Sequence, residues 1–400
     1  MKLTAAERDL IEPLDAAEML ALTERWIAIN SGTGNLPGLA QQAEELAAAF
    51  AALPGDIALR EGGGVHSVDS EGRMVVVEHG RHLVLRVRPQ AERRFLLTGH
   101  MDTVYPPEHP FQHGRWIDAD TFNAPGAADM KGGLAVMLAA LRAFEATRPQ
   151  AGYDVLINAD EETGSPSSAR LIAELAQGKA AALTYEPAAR PDGTLAHERG
   201  GSGNFSLVVS GRSAHAGRNP QDGRNAVVAA AALALELKAL EHDALSVNPA
   251  RIDGGSANNV VPDKAVLRFN IRPKSAAAAE TFTVDLAALL HQVEGAHDVT
   301  VEVHGGITRP PKPVDDRAQA LFALVRHAGA ALDQDICWQP SGGVCDGNNI
   351  AACDVPVVDT MGVRGGAIHS PDEYLIVSSL AERAALSALV LHRLEAGALA

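Results

Sequence analysis

The stretch LLTGHMDTV, residues 96–104, begins as a buried strand and ends in two side chains of metal-ligand type. The apolar start is followed by His100 and Asp102, which are separated by a single residue. An imidazole and a carboxylate are costly inside a strand core, so they mark the point where the strand ends. A neutral imidazole is the commonest metal ligand, and a nearby carboxylate can orient its ring. The stretch therefore predicts a buried strand that carries a candidate metal ligand at its carboxyl end.

Strand-like and helix-like patterns alternate on either side of this stretch. Further strands are predicted over 153–160 and 180–186, and a helix over 132–147. A second helix is predicted over 166–177, with Ser165 as its cap. This alternation is typical of an α/β fold with a mostly parallel sheet and helices on both faces. In such a sheet the ligand crevice lies at the carboxyl ends of the strands.

The pattern changes near residue 200. A Gly/Ser-rich segment leads into strands and helices in the order β-α-β-β-α-β, which is the ferredoxin-like arrangement. A proline-rich connector, TRPPKPV, follows, and the α/β alternation then resumes. We therefore predict a discontinuous α/β domain over 1–200 and 311–400, interrupted by a small α+β domain over 201–310.

Composition excludes several classes of protein. The net charge of −16 argues against nucleic acid or an anionic membrane as a partner. Residues 1–20 predict a helix rather than a signal peptide, and the apolar run 226–240 is too short and too alanine-rich to span a bilayer. The three cysteines, Cys337, Cys345 and Cys353, form no CxxC pair, which favours a reducing cytoplasm. We expect Cys345 to be a buried core thiol without a catalytic role.

Acidic and imidazole side chains recur at the predicted strand ends and in Gly-bounded loops. The set comprises His100, Asp129, Glu161, Glu162, Glu186 and His369. Each could be a solvated loop residue, but adjacent carboxylates such as Glu161 and Glu162 repel each other at a buried strand end unless a cation is present. Neighbours in sequence point in different directions, so one can bind a metal while the other acts as a base. Two imidazoles with at least three carboxylates suit zinc, with cobalt or manganese as possible substitutes.

The order of these motifs resembles a known family over about residues 95–380. The motifs are GHMDTV, APGAADMKGG, ADEETGS, TYEPA, GRSAHAGRNPQDGRNAV, SANNVVPDKAVLRFNIR, GGVCDGNN and GGAIHSPDEY. They resemble the co-catalytic dizinc amidohydrolases that include glutamate carboxypeptidase, aminoacylase, acetylornithine deacetylase and succinyl-diaminopimelate desuccinylase. The last two motifs are most similar to the glutamate carboxypeptidase branch.

The resemblance implies a set of metal ligands. Asp129 matches the carboxylate that bridges two zinc ions, and the peptide bond after it is cis in relatives. His100 and Glu186 match the other ligands of one zinc, and Glu162 and His369 match those of the second. The implied cofactor is two Zn²⁺ per chain.

The resemblance also implies roles for residues that hold no metal. Glu161 matches the general base, and Asp102 matches the carboxylate behind the histidine of GHMDTV. His215 matches a histidine that reaches the partner subunit's active site, which implies a homodimer formed through a lid domain at 201–310. Asn259 and Arg272 match residues that hold the substrate carboxylate. Without the resemblance, His215 would be read as a surface-loop residue, Asn259 as a turn residue and Arg272 as an exposed residue at a strand end.

The implied reaction is hydrolysis of an amide bond next to a free carboxylate, in a small molecule or short peptide. An N-acyl-amino-acid deacylase is the alternative, because it cleaves the same bond in a different substrate. A metal-poor binding protein is a further class. Competent residues at all five ligand positions and at Glu161 favour the enzyme.

Overall fold

A computed structural model describes residues 2–399, and the chain divides into two compact units. The first unit contains the chain up to Gly63, His79–Glu198 and the chain from Val314 onward. The second contains Gly64–Glu78 and Arg199–Pro313. Residues 64–78, which the sequence pattern placed in the α/β domain, belong instead to the second unit because they pack within it.

A six-stranded sheet forms the centre of the first unit. Its strands lie in the order Asp56–Arg60, His82–Val87, Gly152–Asn158, Arg94–His100, Ala181–Thr184 and Val357–Val358. The last four strands are parallel to one another, and His82–Val87 pairs in antiparallel fashion with both of its neighbours. The predicted mostly parallel sheet is confirmed.

Alternating side chains of these strands face two separate apolar layers. Leu97 and Val155 join the larger core with the helices Gly132–Ala146 and Ser379–Glu395. Leu96, Leu156 and Ala182 instead pack against helix Ala169–Ala176 on the opposite face. Burial on both faces explains why these strands are almost continuously apolar.

The remaining helices of the first unit complete these two layers. They are Ala5–Ile11, Ala16–Ile27, Leu36–Phe50, Asp316–Ala331 and Asp346–Ala351. Asp15, Asn35 and Asp315 cap three of them by accepting backbone N–H groups, as expected of short polar residues at helix starts.

The predicted cap at Ser165 is wrong, because the helix begins at Ala169. The Asp160 carboxylate accepts the backbone N–H groups of Ser167 and Ser168, which holds 166–168 in turns before the helix starts.

Two small sheets complete the first unit. One contains Gly365–Gly366, Tyr374–Ile376, Thr121–Asn123 and Arg115–Trp116 in that order. The other pairs Leu195–Arg199 with Trp338–Ser341. Within residues 2–399, no helix has both the length and the apolar character that a membrane crossing requires.

The second unit has a four-stranded antiparallel sheet in the order Leu245–Gly254, Lys264–Pro273, Ser202–Ser210 and Thr300–Arg309. Along the chain these are the second, third, first and last strands of a β-α-β-β-α-β succession, whose helices are Ala226–Ala239 and Ala276–His297. This arrangement confirms the predicted ferredoxin-like motif. In its core the rings of Phe205 and Phe269 on the sheet stack on each other, and Phe282 of the helix meets Phe205 edge-on.

A hairpin, Val65–Val68 with Met74–Val77, packs on this second unit. The Arg268 guanidinium donates to the carbonyl oxygens of Val68 and Asp69. Val68 also shares a small apolar cluster with two valines of the sheet. These tertiary contacts, which are distant in sequence, explain why sequence alone did not place the hairpin.

Candidate metal centre

Three neighbouring parallel strands bring the predicted acidic and imidazole residues to one edge of the sheet. His100 ends the strand Arg94–His100, and Glu161 and Glu162 follow Gly152–Asn158 on one side. Glu186 follows the strand on the other side. Parallel pairing places all three carboxyl ends together, which is the usual position of a ligand site in such sheets.

The Asp129 carboxylate lies between two imidazoles. Its Oδ1 atom is 3.1 Å from His100 Nε2, and its Oδ2 atom is 3.2 Å from His369 Nε2. Asp129 is buried in the irregular turn Ala127–Lys131, and its peptide bond to Met130 is cis, as the resemblance implied. One carboxylate oxygen thus faces each histidine, as expected of a bridging ligand.

Each histidine also faces a second carboxylate. His369 Nε2 is 3.1 Å from Glu162 Oε2, and His100 Nε2 is 3.8 Å from Glu186 Oε2. Ligand atoms of His100, Asp129 and Glu162 lie within 4.8 Å of one another, as do those of His100, Glu161 and Glu186. The site therefore offers two overlapping groups of nitrogen and oxygen donors.

Asp102 organises the centre from behind. His100 Nδ1 hydrogen-bonds to the Asp102 backbone carbonyl at 3.0 Å and lies 3.4 Å from its carboxylate. Because a carbonyl oxygen can only accept, this contact keeps a proton on Nδ1 and directs Nε2 toward the carboxylates. The Asp102 carboxylate also accepts the backbone N–H groups of Glu161 and Glu162 and the Thr33 hydroxyl. Asp102 thus fixes both the ring and the start of the acidic pair.

The electrostatics of the centre favour a bound cation. Burial and then the charge of Asp129 raise the pKa of Glu162 to about 8. Hydrogen bonds with Asp129 and Glu162 raise the pKa of His369 to about 11. Burial lowers the pKa of His100, but its bonds with the surrounding carboxylates outweigh this and raise it. The protonated imidazoles thus supply the positive charge that these carboxylates require, and bound metal ions would supply the same charge in their place.

The donor set fits a pair of metal ions. His100 Nε2 lies near carboxylate oxygens of Asp129 and Glu186, and His369 Nε2 lies near those of Asp129 and Glu162. All are imidazole or carboxylate ligands, the set that zinc, cobalt and manganese accept.

The three substrate-contacting candidates all belong to the second unit. His215 lies in the short strand Ala214–His215, and its neighbour Ala216 donates its backbone N–H to the Asn259 carbonyl. The His215 Nδ1 atom accepts backbone N–H groups from the following turn, which leaves the proton on Nε2. Arg272 lies in the four-stranded sheet of the same unit, near the end of strand Lys264–Pro273. Its exposed side chain donates to the Asn270 side chain.

Sequence reasoning missed two buried residues next to Asp129. The Glu373 carboxylate accepts the backbone N–H groups of Gly126, Ala128 and Asp129. The Lys131 ammonium donates to the carbonyl oxygens of Trp26 and Ile29, and burial lowers its pKa to about 7. Both residues occur in motifs already quoted, APGAADMKGG and GGAIHSPDEY. The sequence could have indicated both residues, because each is a charged residue inside a motif that also contains a predicted metal ligand.

Comparison with known proteins agrees with this geometry. The family described as peptidase family M20/M25/M40 matches residues 96–393. Carboxypeptidase G2 of Pseudomonas sp. (strain RS-16) is 29% identical over 394 residues, covering 94% of this chain and 88% of the relative. Succinyl-diaminopimelate desuccinylase of Halorhodospira halophila is 30% identical over 309 residues, covering 72% and 79%.

A solved structure shows the same fold. A tripeptidase from Staphylococcus aureus superposes with a TM-score of 0.73 at 22% identity, covering 96% of this chain and 99% of that one. The chain therefore belongs to peptidase family M20/M25/M40, and it is a metal-dependent hydrolase.

Proposed function

We propose that the protein hydrolyses an amide bond next to a free carboxylate, in the manner of a glutamate carboxypeptidase. The observation that carries this proposal is the Asp129 carboxylate with one oxygen toward His100 and the other toward His369. Similarity to carboxypeptidase G2 over 94% of the chain supports the choice of substrate class.

Zinc is the proposed metal, with two ions per chain and cobalt or manganese as substitutes. His100, Asp129 and Glu186 would hold one ion, and Asp129, Glu162 and His369 the other. When bound, such a pair polarises the substrate carbonyl and lowers the pKa of a water molecule.

Glu161 is the proposed general base. A carboxylate oxygen of Glu161 lies within 4.8 Å of ligand atoms of His100 and Glu186. The Glu161 backbone N–H donates to the Asp102 carboxylate, which fixes the position of this residue. From this position it takes a proton from the attacking water and returns it to the leaving nitrogen. Glu162, directed toward His369, would hold metal instead.

Residues of the second unit are proposed to bind the substrate. The Nε2 proton of His215 suits donation to the scissile carbonyl oxygen as negative charge develops there. The Arg272 guanidinium offers forked donors to the substrate carboxylate, and Asn259 adds an amide donor. We further propose that this unit is a lid, which would exclude water once substrate is bound.

A homodimer formed through the second unit completes the proposal. The strands Leu245–Gly254 and Thr300–Arg309 are the two edges of its four-stranded sheet. An edge strand can pair with a second copy of itself about a two-fold axis. His215 would then act in the partner's site. Within residues 2–399, Cys337, Cys345 and Cys353 form no disulfide, in keeping with the proposed cytoplasmic location.

The substrate class can be tested by assaying the zinc-loaded protein against matched amides. One series carries C-terminal glutamate behind different acyl groups, and the other carries the same acyl groups on a glutamate whose α-carboxylate is amidated. We expect hydrolysis of the first series and a kcat/KM lower by about tenfold or more for the second, since the Arg272 guanidinium would lose a charged partner. Equal rates for both series would refute recognition of a free carboxylate.

N-acyl-amino-acid deacylation is a second candidate, because a succinyl-diaminopimelate desuccinylase is 30% identical over 72% of the chain. The two functions differ in the part of the substrate that is selected. A preference among acyl groups on a fixed amino acid would favour the deacylase, and a preference among amino acids behind a fixed acyl group would favour the carboxypeptidase.

A further inference from the structure

Glu373 is a buried carboxylate that the proposed chemistry does not use. Its side chain is 1% exposed, and it lies a few residues after His369 in the motif GGAIHSPDEY. A buried carboxylate is costly unless it is fully hydrogen-bonded. The partners of Glu373 therefore indicate why the fold retains it.

The Glu373 carboxylate accepts hydrogen bonds from donors that surround the metal centre. Oε1 accepts the backbone N–H groups of Ala128 at 3.0 Å and Asp129 at 3.1 Å. Oε2 accepts the backbone N–H of Gly126 at 3.1 Å and the Tyr105 hydroxyl at 2.9 Å. One carboxylate thus fixes three backbone groups of the turn that carries the proposed bridging ligand.

The backbone of Glu373 is itself anchored. Its carbonyl oxygen accepts the Asn123 amide at 2.6 Å and the backbone N–H of Ala124 at 3.2 Å. The next residue, Tyr374, begins a strand that pairs with Thr121–Asn123. The carboxylate is therefore presented to the Asp129 turn from a rigid support.

We propose that Glu373 is a positioning residue that holds the turn Ala127–Lys131, and so orients the Asp129 carboxylate to face both metal positions. The inference rests on the proposed dinuclear centre. The bond from Asp129 N to Glu373 fixes the backbone at the residue whose two carboxylate oxygens face His100 and His369. A small rotation there would move one oxygen away from its histidine. Because both Glu373 oxygens are occupied by N–H and O–H donors, Glu373 acts through Asp129 and does not hold metal itself.

The test measures zinc affinity of the full chain by competition with a chromophoric chelator. Glu373→Gln preserves size, but its amide nitrogen cannot accept the N–H groups that one carboxylate oxygen accepts now. We expect zinc affinity to fall by about 10–100-fold, the usual effect of losing a group that orients a ligand. The visible spectrum of the cobalt-substituted protein should also change, and kcat should fall more than KM rises.

Asp154→Asn is the matched control. Asp154 is another buried carboxylate of the same unit, but it pairs with Lys179 near the other end of strand Gly152–Asn158. This change should lower stability while leaving zinc affinity and the cobalt spectrum as in the wild type. Tyr105→Phe, which removes one partner of Glu373 but none of the three backbone bonds, should weaken zinc binding less than Glu373→Gln.

The outcomes separate this inference from the proposed function. A wild-type chain that binds no zinc would overturn both. Normal wild-type binding with unchanged affinity in Glu373→Gln would overturn the positioning role alone. If Glu373→Gln does not fold, the titration is repeated with Glu373→Asp, which keeps the charge but is too short to reach all three N–H groups. Failure of both variants to fold would assign Glu373 to stability and reject the proposal.

Discussion

Exchanging the adjacent acids Glu161 and Glu162 for glutamine separates the base from the ligand. Both residues follow the same strand, and Asp102 accepts both backbone N–H groups, so neither change should move the chain. Glutamine matches glutamate in size and removes only its charge and basicity. Different phenotypes would therefore report different chemistry.

The expected magnitudes differ between the two variants. Glu161→Gln should retain two metals per chain while kcat falls about 10²–10⁴-fold, which corresponds to about 2.7–5.4 kcal/mol of barrier. Glu162 lies 3.1 Å from His369 and is a proposed ligand at the second metal position. Loss of a bond involving a charged group costs about 1.5–3 kcal/mol, so Glu162→Gln should weaken metal at that position about 10–100-fold.

The assay combines elemental analysis after dialysis against buffered zinc with single-turnover kinetics at saturating metal. Circular dichroism checks that both variants are folded. If Glu161→Gln lost a metal while Glu162→Gln kept both and lost only turnover, the assignment of the pair would be reversed. If neither variant lost activity, the centre would not be the site of hydrolysis.

Two further predictions concern pH and assembly. His82 is buried, and its ring accepts the Ala159 N–H and contacts the Ser167 hydroxyl. Burial lowers the pKa of His82 below its ordinary value of 6.5. The neutral ring therefore contributes its full stability above pH 6.5, and this contribution is lost as the pH falls through the pKa of the folded state. In urea unfolding below about pH 6.5, the free energy of unfolding of the wild type should fall by up to about 1.4 kcal/mol per pH unit relative to that of His82→Gln. Identical pH slopes for the two proteins would contradict this. Mixing His215→Ala chains with Glu161→Gln chains should restore about a quarter of wild-type activity if His215 acts in the partner's site. No recovery in proven heterodimers would place it elsewhere.

The parallel strands of the first unit and the candidate ligand residues at their ends follow from local patterns in the sequence. The apolar run before His100 has the length and hydrophobicity of a strand buried on both faces, and parallel strands align their carboxyl ends. His100, Glu162 and Glu186 could therefore be grouped from the sequence alone. Their separate roles came from the family resemblance.

Contacts between distant segments could not be predicted from the sequence. Glu373 binds the turn before Lys131 across more than 240 residues of chain, and no periodic pattern reports such a contact. Hairpin 64–78 joins the second unit through Arg268 in the same way. Ser165 was predicted to be a helix cap because serine is common at that position. The backbone N–H groups of Ser167 and Ser168 donate to the Asp160 carboxylate instead.

Anomalous diffraction at the zinc absorption edge, from crystals of the metal-loaded protein, would locate the metal ions themselves. We expect two peaks on either side of the Asp129 carboxylate, one contacted by His100 and Glu186 and the other by Glu162 and His369. A single peak, or a pair that Asp129 does not bridge, would contradict the proposed dinuclear centre.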